Sequence, residues 1–117
     1  MTSPEQALRY LDARAAAARS ARESHAASVR ERVLIALKMH VPLSAQVWLI
    51  GSLAWGGFGL HSDVDVVWTG LSSAQLLDVE RALRGAAGVA VDLLEFDTLP
   101  VSFQERVVAE GIEVRGG

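Results

Sequence analysis

The chain is 117 residues long and half of it is hydrophobic, which allows one compact domain and excludes two. Cysteine is absent, and this removes disulfides, thiolate metal ligands and cysteine nucleophiles together. The net charge of −3 conceals an asymmetry: residues 1–45 carry seven basic and four acidic side chains, the remainder four basic and ten acidic, with no Lys or Arg between Lys38 and Arg81. Such an acidic half does not attract a nucleic-acid backbone without help, so the sequence gives no direct evidence for nucleic-acid binding. Any bound polyphosphate is expected to be balanced by metal ions and backbone amides. No apolar run approaches the ~20 residues that cross a bilayer. The segment Met1-Thr2-Ser3-Pro4-Glu5 lacks the basic and apolar regions of a secretory signal, so a cytoplasmic location without membrane association is the expectation.

Ser3-Pro4-Glu5-Gln6 supplies an N-cap hydroxyl, a proline at the first helical position and a glutamine at the capping-box position. A helix therefore starts here, and Leu8, Leu11, Ala15, Ala18, Val29, Val33 and Leu37 continue it at three- and four-residue intervals to about residue 40. Unbroken, it would run about 55 Å, longer than a domain of this size is wide. It is expected either to break near Ser24-His25 into a helix pair or to project beyond the body. Its arginines form a solvated face or a docking face for a partner.

Val41-Pro42-Leu43-Ser44 is a connector. Val47-Trp48-Leu49-Ile50 reads as a short buried strand and Val64 to Trp68 as a second, closed by Thr69-Gly70-Leu71. Ser72 or Ser73 caps a helix through about Leu83, with Gly85 near its end. Val89 to Leu94 makes a third strand. A final helix from Val101 stops at Gly111, and Ile112-Glu113-Val114 is extended.

Asp63 and Asp65 are two apart at the start of the second strand, so their side chains share a face. At ~4 Å and an effective dielectric of ~20 the two charges repel by about 4 kcal/mol, which favours a shared proton or a divalent cation. Oxygen-only ligands suit magnesium or manganese. Gly51 and Ser52, directly after the first strand, allow phosphate oxygens to approach the main chain, with the Ser52 hydroxyl as a further donor. Asp92 lies within an apolar strand, where its expected burial argues for a metal or another strong partner. Glu95 and Asp97 read as solvated or capping groups. Trp55 either packs over the glycine turn or stacks on a base. His61 reads as a loop histidine.

Taken together, Gly51-Ser52, Gly56, Ser62-Asp63-Val64-Asp65 and an aspartate on a later strand resemble the polymerase-beta-type nucleotidyltransferase superfamily. Val91-Asp92-Leu93-Leu94 and the closing Glu105-Arg106-Val107-Val108-Ala109-Glu110-Gly111-Ile112 resemble more narrowly its minimal nucleotidyltransferases, bacterial proteins often paired with a HEPN-domain toxin. The resemblance covers about residues 45–114. It implies two magnesium ions, or manganese, held by Asp63, Asp65 and Asp92, with Asp92 helping to activate the acceptor and with Gly51, Ser52 and Ser62 gripping the nucleotide. The turn departs from many relatives, which carry arginine where Leu53 and Trp55 stand here.

The expected fold is α+β: one domain over residues 1–117, with a helical N-terminal segment (1–40) and a catalytic core (45–114) in which helices pack on one face of a small mixed sheet. The expected function is transfer of a nucleoside monophosphate, AMP from ATP, to a hydroxyl on a partner toxin of HEPN type, in an antitoxin role. The alternative is an inactive protein of the same fold that neutralises a partner by binding it. The long helix also offers a surface for self-association.

Overall fold

The computed structural model describes residues 2–116. Helix α1 runs unbroken over Pro4–His40, so of the two expected paths the chain takes the second: the helix pair does not form and the helix projects. The physical reason is its composition. Residues 5–40 contain neither glycine nor proline, and an alanine- and arginine-rich run has no position at which leaving the helical φ/ψ well is favourable. Ser3 and Gln6 close the expected capping box, with Ser3 Oγ accepting from Gln6 N–H at 3.1 Å and Gln6 Oε1 from Ser3 N–H at 3.0 Å. At the other end Val41 turns to extended geometry ahead of Pro42.

Residues 2–25 of this helix and its lead are all exposed, and burial begins only at Ala26 and Val29. The molecule accordingly measures 65 × 31 × 21 Å. The buried residues of α1 are Val29, Val33 and Leu37, one stripe at four-residue spacing.

Four strands, β1 (Gln46–Ile50), β2 (Val64–Thr69), β3 (Val91–Glu95) and β4 (Ile112–Val114), form one mixed sheet in the order β3-β2-β1-β4. β1 pairs antiparallel with both β2 and β4, and β2 pairs parallel with β3. A short helix α2 (Gly51–Trp55) follows β1 directly. The parallel β2–β3 pair needs a crossover, supplied by α3 (Ser73–Ala87). Ser72 caps α3 through a capping box with Gln75. The helix continues past Gly85, expected near its end, and stops at Gly88, whose φ of 69° is the left-handed cap that glycine adopts without penalty. A 3-10 turn at Phe96–Thr98 leads into α4 (Val101–Glu110).

Alternation along the strands sorts the two faces. Val47, Leu49, Val64 and Val66 point to α1 and α3 and build the main core with Val29, Val33, Leu37, Val79 and Leu83. Arg32 Nε reinforces this layer by donating to Ala86 O on α3 at 3.0 Å. The opposite face is apolar only at one end, where Trp48, Ile50, Val67 and Val107 form a smaller cluster with Phe96 and Phe103. Trp48 and Phe96 stack there at 5.0 Å. The other end of that face is left for polar side chains.

Because only the C-terminal half of α1 is part of the core, the two halves respond differently to truncation. Leu37→Ala, at a site with 0% exposure, is expected to lower stability by about 2–5 kcal/mol. Leu8→Ala, at 61% exposure, is expected to change it by less than ~0.5 kcal/mol. Urea unfolding midpoints measure both.

Candidate functional site

The polar end of the sheet is organised around Asp65. It is the second residue of β2, paired with Ile50 on one side and with Asp92 on the other. Gly51, the residue after Ile50, has φ +73°, and a Cβ built on it would lie 2.5 Å from Asp65 Oδ2. Any other residue would displace the carboxylate or strain the backbone, so glycine here is a requirement of close approach.

On the other side Asp92 lies beside Asp65 in the parallel ladder, since paired residues in neighbouring strands project to the same face. Asp65 holds its proton above the ordinary carboxylate range, first because it is partly buried and then because the Asp92 and Asp63 charges oppose its ionisation, with a hydrogen bond to Asp92 adding to the effect. Asp63, immediately before β2, is exposed.

The expected burial of Asp92 is not observed. β3 is an edge strand and Asp92 is exposed on it. The chemical interest of Asp92 lies in its neighbour Asp65 rather than in desolvation. Among the described residues no three His, Cys, Asp or Glu side chains form a ready metal cluster. The arrangement is a carboxylate pair, Asp65 with Asp92, and a third carboxylate, Asp63, at its rim. An oxygen-only pair of like charges fits a hard cation such as magnesium, which keeps several waters and takes further oxygens from a substrate phosphate. Glu95 and Asp97 stand apart in exposed positions, Asp97 accepting from Thr69 Oγ1 at 3.2 Å.

The glycine-rich segment is not a simple turn. Its first part is α2, and only residues 56–63 form a loop. Ser52 is half-buried beside the loop. Ser62 is half-buried and braces the loop, its Oγ accepting from Gly59 N–H at 2.9 Å. Leu53 is a core residue with 1% exposure. Trp55 packs: its Nε1 donates to Glu110 O at 2.9 Å and Arg106 lies 4.1 Å over its ring. Those contacts tie α2 to α4 and take the ring away from base stacking. His61 is exposed in the loop.

Sequence reasoning missed the helix on the far side of this loop. A cleft of about 370 Å³ opens between α1, which contributes Arg19, Arg22, Glu23 and Arg30, and the segment with Ser52, Gly56 and Gly57. Arg30 Nη1 donates to Leu53 O at 3.1 Å, and His25 stacks near Phe58 with ring centroids 6.1 Å apart. Cations absent from the sequence near the glycines thus arrive beside them from α1 by tertiary packing. The available signal was spacing, since positions 19, 22, 23, 26 and 30 share one helix face with Ala26 small enough to admit a neighbour.

No protein-family model and no curated protein matches the chain. Solved structures do. One described as a minimal nucleotidyltransferase superposes with a TM-score of 0.53 at 30% identity, over 71% of this chain and 86% of that one. A toxin–antitoxin structure with AMP-PNP gives 0.56 at 21% identity, covering 75% of this chain and 73% of that one. The toxin–antitoxin MntA-HepT gives 0.50 at 18% identity, covering 76% and 71% respectively. At those two lower identities the likeness speaks for the fold.

The raised proton affinity of Asp65 has a stability consequence. An acid whose folded-state pKa lies above its unfolded value contributes stability fully present below the unfolded value, about 3.9 for aspartate, and lost as the pH rises through the folded value. In chelator-treated protein, Asp65→Asn is therefore expected to unfold at a higher temperature than wild type at neutral pH. The difference should shrink as the pH falls below the ordinary aspartate value, and thermal melts across the acid range measure it.

Proposed function

Because the chain belongs to the minimal nucleotidyltransferase family, we propose that it transfers a nucleoside monophosphate, AMP from ATP, to a hydroxyl on a partner toxin, and so acts as an antitoxin in the cytoplasm. The observation that carries the chemistry is the Asp65–Asp92 pair placed against Gly51. The solved neighbours support the donor and the setting, one being a toxin–antitoxin structure with AMP-PNP and another the MntA-HepT pair. A HEPN-type chain is the partner the sequence resemblance favours.

Asp63, Asp65 and Asp92 would hold magnesium, one or two ions, or manganese in its place, and the ions would offset phosphate charge and orient an in-line displacement. A dication there would reverse the effect of the like charges, lowering the proton affinity of Asp65 that burial and its Asp92 and Asp63 neighbours raise. Gly51 keeps the main chain clear of bulk, so that phosphate oxygens approach it, and Ser52 offers a hydroxyl donor beside them. Ser62 braces the loop and retains its own proton for a phosphate oxygen.

Asp92 is exposed on its edge strand and within reach of an acceptor from outside. In the reaction the acceptor hydroxyl oxygen bonds to the α-phosphorus. The bond from that phosphorus to the bridging oxygen breaks, the hydroxyl proton passes to Asp92, and pyrophosphate leaves. The open side of the carboxylate pair suits a large acceptor, because Asp92 is exposed at the sheet edge.

A second reading rests on α1. Its exposed N-terminal half, with Leu8, Tyr10 and Leu11 uncovered, suits steric neutralisation of a partner or self-association without any transfer.

Incubation with α-labelled ATP, magnesium and the co-purified partner distinguishes the readings. Label should move to the partner, and Asp65→Asn or Asp92→Asn should lower the rate at least ~100-fold, the scale of losing a group that stabilises transition-state charge. Chelation of the metal should stop transfer. Absence of transfer by wild type, with partner neutralisation intact in Asp63→Ala/Asp65→Ala, would assign the role to binding.

A further inference from the structure

We infer that the cleft between α1 and the glycine loop is the subsite for the terminal phosphates of a nucleoside triphosphate, gripped by Arg19 and Arg22 from the long helix. The inference rests on the nucleotidyl-transfer reading and extends it to the part of the donor that departs as pyrophosphate. Three arginines and one glutamate face this cleft, in a protein whose net charge is −3. The cleft is thus a local positive pocket on an acidic molecule.

The roles of the three arginines differ. Arg30 is half-buried and committed to Leu53 O, so it braces the floor. Arg19 and Arg22 are exposed, and the ion pairs among the described residues lie elsewhere, at Glu80–Arg84, Arg106–Glu110 and Glu113–Arg115. Holding two guanidinium groups on adjacent turns of one helix face places ten N–H donors beside the loop, in the fork geometry that phosphate oxygens accept.

The opposite wall is built to let an anion in. A Cβ added at Gly56 or at Gly57 would meet nothing within 4 Å, so the main chain there is open to a ligand. Ser52 lines the cleft, and the preceding residue, Gly51, abuts Asp65 Oδ2. Successive Cα atoms are about 3.8 Å apart, so the cleft wall at Ser52 lies one residue along the chain from the Gly51–Asp65 contact. A polyphosphate with its α-phosphate at the carboxylates would extend its terminal phosphates past Ser52 toward α1. The volume of about 370 Å³ is in the range of small-molecule sites. As the bond between the α-phosphorus and the bridging oxygen breaks, negative charge grows on pyrophosphate, and Arg19 and Arg22 stand where it grows.

The test uses the full chain, with inorganic tripolyphosphate and AMP as probes in isothermal titration at low salt. Wild type should bind tripolyphosphate at least tenfold more tightly than AMP. Arg19→Gln/Arg22→Gln should lose at least tenfold in tripolyphosphate affinity, with AMP binding unchanged and the unfolding temperature preserved, because glutamine is as good a helix former as arginine. Arg19→Lys/Arg22→Lys should fall between, and Arg9→Gln, on the same helix but outside the cleft, should match wild type. Tripolyphosphate binding absent in wild type, or within twofold of wild type in Arg19→Gln/Arg22→Gln, overturns the inference. So does tighter binding of a single-stranded RNA oligonucleotide that depends on the same arginines. If the arginine variants lose tripolyphosphate while no AMP transfer is found in wild type, the cleft stands and the transfer reading falls. If transfer is found and the arginines leave binding untouched, the reverse holds.

Discussion

The contact of the Asp65 carboxylate with the main chain at Gly51 is the constraint around which the rest of the molecule is arranged. Asp65 Oδ2 would lie 2.5 Å from a Cβ at position 51, so the residue that follows β1 has to be glycine, and α2 begins there with positive φ. Ladder pairing brings Asp92 to the other side of Asp65. Two carboxylates and a backbone approach then occupy one end of one sheet face. That concentration of negative charge is unfavourable and raises the proton affinity of Asp65, and it is maintained by apolar packing on the reverse of the same strands. Val64 and Val66 flank Asp65 in sequence and both are fully buried. A register slip that relieved the carboxylates would expose both valines.

Helix α1 meets two demands with one element. Its C-terminal half closes the main core through Val29, Val33 and Leu37, and its middle carries arginines over the glycine loop. Since the helix is rigid, the core contacts fix where those arginines stand. The remaining N-terminal half extends into solvent without a tertiary partner among the described residues, and its secondary structure rests on alanine propensity and the Ser3–Gln6 box. The small second cluster has a comparable double use. Trp48, Phe96 and Val107 dock α4 on the carboxylate face, while Trp55 ties α2 to the end of α4. The beginning of the glycine segment is thereby held by a helix distant in sequence.

Much of this architecture is legible in the order of the residues. The Ser3 and Ser72 caps, the apolar strand Val47 to Ile50 and the stop at Gly111 are local signals, each set by a few neighbouring residues. The spacing of Ser52, Asp63 and Asp65, with Asp92 on a later strand, points to both the site and the family resemblance. Where pattern and structure part, the cause is not local. Asp92 has apolar neighbours in sequence, which suggest burial, but burial depends on strand order, and β3 falls at an edge. Gly85 is as plausible a terminator as any glycine, whereas the end of α3 is decided by Gly88, the glycine that takes the left-handed conformation.

Sequence alone determined the chemistry carried by each segment: which of the longer stretches are helix or strand, where acid and glycine are concentrated, and that the glycine region lacks cations of its own. Tertiary structure alone decided which segments share a site. Arg19 and Arg22 precede Ser52 by about thirty residues, and no local pattern couples them to it. They reach the loop because the valine and leucine stripe of α1 must bury itself against the sheet, and a straight helix so buried carries its arginines to the glycines. Side-chain chemistry is local and readable one residue at a time, whereas proximity is a property of the whole packed chain.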